Sequence, residues 1–352
     1  MKKILVFLAL ALVAVVAVES ISSYIIFRYY AMGEKPLEPK GLATVMLVVG
    51  GINKVLGRHP TQSVSIDHGY LFEANEALGY ALHPGRYRVH EALSGKDHYF
   101  DLTVTEAGIR RTSEFPVHSD KRIFMIGDST MFGWGLDDEE TVPWLIQAKL
   151  PHYQIFNFAL TSYSSVQALS QLQSVTPKVG SKDIVVVEYH PLLNELNVGS
   201  PGMLDSMKHG YELTLGDAGL RNAKLPFATI DDHGKLAIQR ISFSCAIEPA
   251  TPDCFRPAFD LPKAIQVTMR AFDEIVASGQ GHLVVVFLSG TDDDPVIERL
   301  RTQGAAIVDV RSGKAIPIES DVIAVDGHLG PFGQYQIAQR LYDSLRHDVI
   351  AE

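Results

Sequence analysis

The sequence predicts an α/β fold in which helices cover both faces of a parallel sheet, and three observations lead to it. From Lys121 onward, short apolar runs alternate with longer stretches of helical spacing, which is typical of strand-helix-strand units. The runs number five, enough for a three-layer, flavodoxin-like α/β/α sandwich with a five-stranded parallel sheet. The first run ends abruptly in Gly127-Asp128-Ser129, as a buried parallel strand does when it enters a tight turn.

The individual elements follow from the same patterns. The apolar runs, taken as strands, are Ile123–Ile126, Gln154–Phe158, Ile184–Tyr189, Leu283–Leu288 and Ala305–Val310. The helical stretches are Thr141–Leu150, Ser164–Val175, Lys263–Ala277, Pro295–Gln303 and Phe332–Arg346. Thr141 before Val142-Pro143 fits a helix start, because threonine caps free N–H groups and proline is tolerated in the first turn. Residues 194–262 are too many for a simple connection, so we expect an insertion there that could cover the site.

A smaller region, residues 32–118, precedes this main domain of residues 119–352. The stretch Ser65–Pro116 contains runs such as Tyr99–Thr105, in which apolar and polar residues alternate between turn residues. We expect a small antiparallel β element there, after a connector with one short helix or strand. A solvated face is the favoured interpretation, over a substrate entrance, for four arginines of this stretch: Arg86, Arg88, Arg110 and Arg111.

The N-terminal residues 1–31 are typical of an export signal. Lys2 and Lys3 precede an apolar run from Ile4 to Val18. Taken as one segment, Ile4–Phe27 is long enough to span a bilayer, and no clean small-residue cleavage site follows the apolar run. We therefore favour an uncleaved, single-pass membrane anchor over a cleaved signal peptide. In either case the body of the protein lies outside the cytoplasm, in the periplasm or the extracellular space.

Composition and cysteine usage exclude some functions. The net charge of -10 over 352 residues, with no long basic stretch, argues against nucleic acid as a partner. In an exported protein, two nearby cysteines such as Cys245 and Cys254 are more often a disulfide than two free thiols. No second pair and no cluster of histidine and cysteine makes a zinc site. The run Asp292–Asp294 is interpreted as a solvated turn before the helix at Pro295, in preference to a metal site.

Two stretches far apart in the chain carry residues suited to nucleophilic catalysis. Ser129 would lie at the carboxyl end of the first strand, where open α/β sheets bind their ligands. Asp326 and His328 lie two residues apart in a Gly-rich loop before the last helix. A serine hydroxyl becomes a good nucleophile when a histidine takes its proton, and a carboxylate holds that histidine in the right tautomer. Each residue alone is an ordinary turn residue, but together they favour a catalytic triad.

These motifs resemble those of the SGNH, or GDSL-type, hydrolases, which are serine esterases and acylhydrolases on a three-layer flavodoxin-like fold. The resemblance covers roughly Lys121 to the C-terminus. Gly127-Asp128-Ser129 matches the first family block, and Asp326-Gly327-His328 matches the last, with Gly333 in the usual downstream place. The resemblance implies that Ser129 is the nucleophile, His328 the base and Asp326 the carboxylate that orients it. It implies no cofactor.

The middle family blocks, which supply the oxyanion hole, match less well. The family uses the backbone N–H of the nucleophile, the N–H of a glycine and an asparagine side chain to stabilise the negative charge of the intermediate. Ser162 stands where that glycine is usual, and its N–H can still serve if its backbone conformation is allowed. The third block lacks the usual Gly-x-Asn-Asp frame. Asn194 is the expected side-chain donor, and Asn197 and His190 are the alternatives.

The resemblance therefore implies an esterase that works through an acyl-serine intermediate, and the N-terminal segment indicates that it lies outside the cytoplasm. Its expected substrate is an ester, such as an O-acetyl or acyl group on a glycan or lipid, and its other expected partner is the membrane that holds the N-terminal segment. Two other functions stay open. One is an O-acyltransferase that uses the same triad, and the other is a non-catalytic SGNH-like binding module, which the altered middle blocks motivate.

Overall fold

Five short strands come first in the structure, which is a computed structural model. They are β1 (Gln62–Ile66), β2 (Phe72–Asn75), β3 (Gly79–Leu82), β4 (Gly85–Leu93) and β5 (Lys96–Val104). β2 pairs with β3 and β4 pairs with β5, both antiparallel, and β1 lies beside β4. The small antiparallel element predicted ahead of the main domain is therefore present.

The structure describes residues 62–349 with gaps. Outside the description lie residues 1–61, 94–95, 175–177, 201–203, 205–215, 218, 221–222, 243–244, 246–258, 279–280, 312–320, 324, 326 and 350–352. The predicted membrane anchor and most of the connector fall in the first of these ranges, so both stay predictions. Among the described helices, none has the length and apolar character needed to cross a membrane.

A five-stranded parallel sheet forms the centre of the fold, as the alternation predicted. The strands after β5 are β6 (Arg122–Ile126), β7 (Gln154–Asn157), β8 (Ile184–Tyr189), β9 (Lys224–Ile230), β10 (Leu236–Ser242), β11 (His282–Phe287) and β12 (Ala306–Asp309). β9 and β10 form a separate antiparallel pair, and the other five form one sheet in the order β12-β11-β8-β6-β7 with every pair parallel. When the five strands are numbered by their order in the chain, they follow the flavodoxin-like order 2-1-3-4-5. The second strand, β7, lies on one side of β6 and the later strands lie on the other, so the switch point of the sheet is between β6 and β8.

Seven α-helices accompany these strands in the described part of the chain. They are α1 (Ser129–Phe132), α2 (Val142–Lys149), α3 (Ser165–Ser174), α4 (Leu193–Val198), α5 (Leu261–Ala277), α6 (Pro295–Thr302) and α7 (Pro331–Ser344). The five predicted helices agree with α2, α3, α5, α6 and α7 to within two residues at each end. Thr141 accepts a hydrogen bond from a backbone N–H at the start of α2, which is the cap that the sequence predicted.

Side chains of the central strands alternate between two cores, one on each face of the sheet. Ile123 and Met125 of β6 pack in a core with residues of α2, α7 and β2–β5, while Phe124 and Ile126 pack in the other with residues of α3, α5 and α6. Burial on both faces explains the unbroken apolar run in the sequence. The antiparallel element shares the first core with the sheet, and the predicted boundary near residue 118 stays a prediction.

The predicted insertion, residues 194–262, contains the β9–β10 pair. Leu225 of β9 lies against the start of β3, where a side chain on Gly79 would come within 2.8 Å of it. Cys245 is buried and disulfide-bonded. Its predicted partner, Cys254, lies outside the described residues, so the pairing of the two stays a prediction. The expectation that this insertion covers the site stays a prediction.

Candidate active site

Ser129 is the first residue of α1 and follows β6 through the turn Gly127-Asp128. Its position is the carboxyl end of β6, beside β8, and therefore the switch point of the sheet. Gly127 is required by the close approach of β8. A Cβ at this position would lie 2.6 Å from Glu188 Oε2 and 2.7 Å from Glu188 Cβ. The glycine thus lets the nucleophile turn lie directly against the neighbouring strand.

His328 lies next to Ser129, although 199 residues separate them in the chain. The distance between His328 Nε2 and Ser129 Oγ is 2.9 Å, which is a hydrogen bond, and both side chains are half-buried. A base within hydrogen-bond reach of the hydroxyl is the geometry that nucleophilic catalysis needs. Asp326 lies outside the described residues, so its orienting role stays a prediction.

The loop that carries His328 is held by its own backbone. Ile323 N–H donates to the carbonyl oxygen of His328 at 2.7 Å, and Gly330 N–H donates to the carbonyl oxygen of Asp321 at 2.8 Å. The carboxylate of Asp321 also accepts from Gly333 N–H, at 2.6 Å, in the first turn of α7. The position of the histidine therefore depends on a short closed loop that is tied to the start of the last helix.

Two buried side chains, Gln334 and Arg110, donate hydrogen bonds to backbone carbonyl oxygens of α1. Gln334 of α7 donates to the carbonyl oxygen of Thr130 at 2.9 Å and accepts from the N–H of Val142 at 3.0 Å. Arg110 is fully buried, so the solvated face predicted for it was wrong, whereas Arg86 and Arg88 are exposed. The acceptors of the Arg110 guanidinium are the carbonyl oxygens of Phe132, Gly133 and Leu136 and the carboxylate of Asp138. A charged group tolerates such burial when carbonyls and a carboxylate satisfy its donors.

The two backbone N–H groups predicted for the oxyanion hole converge on one atom. Ser129 N–H and Ser162 N–H both donate to Asp128 Oδ1, the latter at 2.8 Å. Ser162 has φ of 60°, and no other non-glycine residue in the described ranges has a positive φ. Glycine adopts this left-handed conformation without the strain that a serine side chain brings. The serine adopts it nonetheless, and its N–H donates to Asp128 in the nucleophile turn.

The antiparallel element positions the loop around Ser162, a role that sequence reasoning missed. Tyr80 of β3 donates from its hydroxyl to the carbonyl oxygen of Thr161 at 2.5 Å, and Tyr163 donates back to the carbonyl oxygen of Tyr80. Gln167 of α3 donates to the carbonyl oxygen of Leu78 at 2.9 Å. Tyr80 of the β2–β3 pair thus forms hydrogen bonds with the residues on both sides of Ser162, whose backbone is strained.

Asn194, the expected third donor, is engaged elsewhere. Its Oδ1 accepts from Thr268 Oγ1 at 2.6 Å. Asn197 donates to Thr268 Oγ1 at 2.7 Å and accepts from Val166 N–H at 3.0 Å. These buried amides join α4 to α3 and α5. Of the three candidates that the sequence left open, His190 is the one that reaches the residues beside the nucleophile.

His190 follows β8 and lies between two carboxyl groups. Its Nε2 is 3.3 Å from Asp128 Oδ2 and 3.6 Å from Glu188 Oε1, and the three side chains are almost completely buried. Glu188 Oε2 accepts from the N–H groups of Asp128 and Met131, at 3.0 and 2.9 Å. Sequence reasoning did not single out Glu188. The available signal was a glutamate inside an otherwise apolar strand, directly followed by the altered third block.

Burial and mutual charge shift the pKa values of this cluster. Burial, reinforced by the negative charge of Asp128, raises the pKa of Glu188 to about 7. Burial acts against the charged forms of Asp128 and His190 as well, but their hydrogen bond and opposite charges outweigh it. The pKa of Asp128 is therefore lower than usual and the pKa of His190 is higher. This sign pattern indicates an ion pair of Asp128 and His190 beside a carboxyl that keeps its proton near neutrality.

The acidic run before α6 is a turn, as interpreted from the sequence, with Asp292 and Asp293 exposed, but Asp294 is buried, so the solvated environment was wrong for that residue. Asp294 caps α6 by accepting from the N–H groups of Val296 and Ile297, at 2.9 and 3.2 Å, and Asp292 pairs with Arg311 at 2.7 Å. Within the described ranges, no group of three or more histidine, cysteine or acidic side chains has an arrangement that could hold a metal ion.

Comparison with known proteins finds similarity among solved structures. No protein-family model matches the chain, and no curated protein matches it. A member of the lipolytic protein G-D-S-L family from Veillonella parvula is 12% identical, with a TM-score of 0.37 and coverage of 64% of this chain and 97% of that one. A psychrotrophic esterase from Pseudoalteromonas sp. is 14% identical, with a TM-score of 0.35 and coverage of 64% and 97%.

A third similar structure is a catalytic mutant of an acetylxylan esterase from Geobacillus stearothermophilus, which is 11% identical with a TM-score of 0.35 and coverage of 68% and 100%. The similarities are distant, so the class of this protein is defined by its own features: a flavodoxin-like sheet with a serine and a histidine in contact at its switch point.

Proposed function

We propose that this protein is a serine esterase or acylhydrolase of the SGNH type. The observation that carries the proposal is the 2.9 Å contact between Ser129 Oγ and His328 Nε2 at the switch point of the sheet. Two backbone N–H groups, of Ser129 and Ser162, converge beside this pair, and such donors stabilise a developing oxyanion. Nucleophile, base and oxyanion donors are the groups that ester hydrolysis through an acyl-enzyme requires.

The proposed reaction has two halves. His328 takes the proton of Ser129 as the hydroxyl oxygen attacks the ester carbonyl carbon, and it returns that proton to the alcohol when the carbon–oxygen bond breaks. Water then attacks the acyl group on Ser129 and gives a proton to His328. When the bond between the acyl carbon and Ser129 Oγ breaks, His328 returns this proton to Ser129 Oγ and the acid is released. Asp326 orients the imidazole. Because Asp128 Oδ1 accepts from both N–H donors, the substrate oxygen has to compete with this carboxylate for them.

We place the catalytic body outside the cytoplasm, held by an uncleaved N-terminal anchor. Lys2 and Lys3 before a long apolar run support this location, and so does the disulfide of Cys245, because disulfides persist in oxidising compartments. The proposed substrate class is an O-acetyl or acyl ester of a glycan or lipid, which rests on the family resemblance. Supplying a glycan acceptor together with an acyl donor distinguishes hydrolysis from acyl transfer.

The test is covalent labelling of the full-length protein with a fluorophosphonate, followed by mass analysis of the labelled peptide. We expect labelling at Ser129 that Ser129→Ala and His328→Ala both abolish. Ser170→Ala is the matched control, because the Ser170 hydroxyl donates a hydrogen bond to the carbonyl oxygen of Val166 in α3 and is not part of the proposed site. A folded wild-type protein that takes up no label would contradict the proposal and favour the binding module.

A further inference from the structure

A buried acid lies directly behind the proposed oxyanion hole. Glu188 is 1% exposed, and one of its oxygens, Oε2, accepts from the backbone N–H groups of Asp128 and Met131. These two residues flank the turn that carries Ser129. Glu188 therefore fixes the nucleophile turn from the side of β8, at the same place where its side chain excludes any residue larger than glycine at position 127.

The other oxygen of Glu188 is not satisfied by any hydrogen-bond donor in the described part of the chain. Oε1 is buried without a hydrogen bond, and the nearest charged group is the imidazole of His190 at 3.6 Å. An ionised carboxylate here would leave Oε1 buried without a hydrogen bond, which costs more than burying a neutral acid. The geometry thus favours a proton on Glu188.

The charges around Glu188 lead to the same conclusion. The titratable groups that face it are Asp128, on the turn after β6, and His190, after β8. Asp128 accepts from two N–H groups and lies 3.3 Å from His190 Nε2, an arrangement that favours an anion on Asp128 and a cation on His190. With a neutral Glu188 the cluster has no net charge. If Glu188 loses its proton, a second negative charge appears beside the atoms that must stabilise an oxyanion.

We propose that Glu188 and His190 are positioning residues of the oxyanion hole, and that they support catalysis only while Glu188 holds its proton. The inference rests on the proposed function of Ser129. In the protonated state the cluster has no net charge, and the N–H groups of Ser129 and Ser162 can exchange their acceptor, Asp128 Oδ1, for the substrate oxygen. In the deprotonated state, the extra charge opposes the developing oxyanion. The only covalent change is the loss of one proton from the Glu188 carboxyl to water.

The raised pKa of Glu188, about 7 because of burial and the Asp128 charge, places this transition near neutral pH. Activity therefore has a falling alkaline limb of about tenfold per pH unit above that value, as a single essential proton requires. We would measure kcat/KM for 4-nitrophenyl acetate, and the rate of fluorophosphonate labelling, with the full-length protein over a range of pH.

Two substitutions distinguish a dependence on the Glu188 proton from a purely structural role of Glu188 and His190. Glu188→Gln keeps an oxygen that can accept from Asp128 and Met131 but cannot lose a proton, so the alkaline limb should disappear while activity at acidic pH is retained. His190→Asn removes the cation that favours an ionised Glu188, so the limb should move to higher pH. Asp294→Asn is the control, since it also removes a buried carboxyl of raised pKa, and it should leave the limb in place.

An infrared measurement gives a readout that does not depend on activity. The wild type should show the carbonyl band of a buried protonated carboxyl that Glu188→Gln removes and that fades as the pH rises through neutrality. If labelling succeeds but the limb is the same in Glu188→Gln, the inference is overturned while the proposed function stands. If Ser129 takes no label at any pH although this band titrates, the proposed function is wrong, and the positioning role is overturned with it.

Discussion

The two sides of the nucleophile turn are built in different ways. On the side of His328, a hydrogen bond joins two half-buried side chains, and the loop that brings the histidine closes on its own backbone. On the side of β8, buried His190 lies within 3.6 Å of two further ionisable groups, Asp128 and Glu188. The first arrangement depends on local loop structure, whereas the second depends on how closely two strands approach. Substitutions on the two sides should therefore fail in different ways.

The largest expected effect is on turnover, from the His328 side. Ser129→Ala and His328→Ala should each lower kcat for an ester by a factor on the order of 10⁶, because they remove the nucleophile and the base. Neither should change the midpoint of thermal unfolding by much, since both side chains are partly exposed. Steady-state kinetics and calorimetry check the two statements, and an active Ser129→Ala variant would contradict the assignment of the nucleophile.

The next effect is on stability and concerns the support of α1. Arg110→Met should lower the free energy of unfolding by about 3–5 kcal/mol, because it leaves a buried carboxylate on Asp138 and several carbonyl oxygens without their partner. Arg88→Met is the matched control. Arg88 pairs with Asp101 at 3.4 Å on the surface, and such pairs contribute about 1 kcal/mol or less. Denaturant titrations of both variants measure the difference, and equal losses would show that the Arg110 network is not a main support.

On the β8 side, the stability of Glu188→Gln should depend on pH. The pKa of Glu188 rises from 4.5 in its ordinary state to about 7 in the folded protein, so the folded chain holds a proton that the unfolded chain releases. Wild-type stability therefore falls as the pH rises through this window, by a total on the order of 3 kcal/mol. Glu188→Gln should match the wild type near pH 4 and exceed its stability at pH 8. If the two proteins differ in free energy of unfolding by the same amount at pH 4 and at pH 8, the raised pKa of Glu188 is ruled out.

The smallest effect concerns the strained backbone of Ser162. Ser162→Gly removes the cost of a left-handed conformation, about 1–2 kcal/mol, and adds part of the entropy cost of a glycine, about 0.5–1 kcal/mol. We expect a gain in the free energy of unfolding of up to about 1 kcal/mol, with the N–H donor kept in place. Ser113→Gly, at a position without a positive φ, should bring no gain. A loss of stability in Ser162→Gly would mean that the serine side chain contributes more than the strain costs.

Local patterns predicted a large part of the fold. β8 has the bounds Ile184–Tyr189 that its apolar run indicated, and α2 begins after the predicted threonine cap. These features were predictable because periodicity and capping act over a few neighbouring residues. The burial of Arg110 was not predictable in this way. Its partners are carbonyl oxygens and a carboxylate from a distant part of the chain, and nothing near Arg110 in sequence indicates them.

The sequence by itself determined the alternation of strands and helices, and it singled out Ser129 and His328 through the short motifs around them. Only the tertiary structure decided that His190 lies at the site while Asn194 and Asn197 hydrogen-bond to Thr268 of α5. It also decided that Glu188 lies behind the nucleophile turn with a raised pKa. The reason is physical: motifs record local chemistry, whereas the partner of a buried polar group and the shift of its pKa depend on which distant strands and helices pack against it.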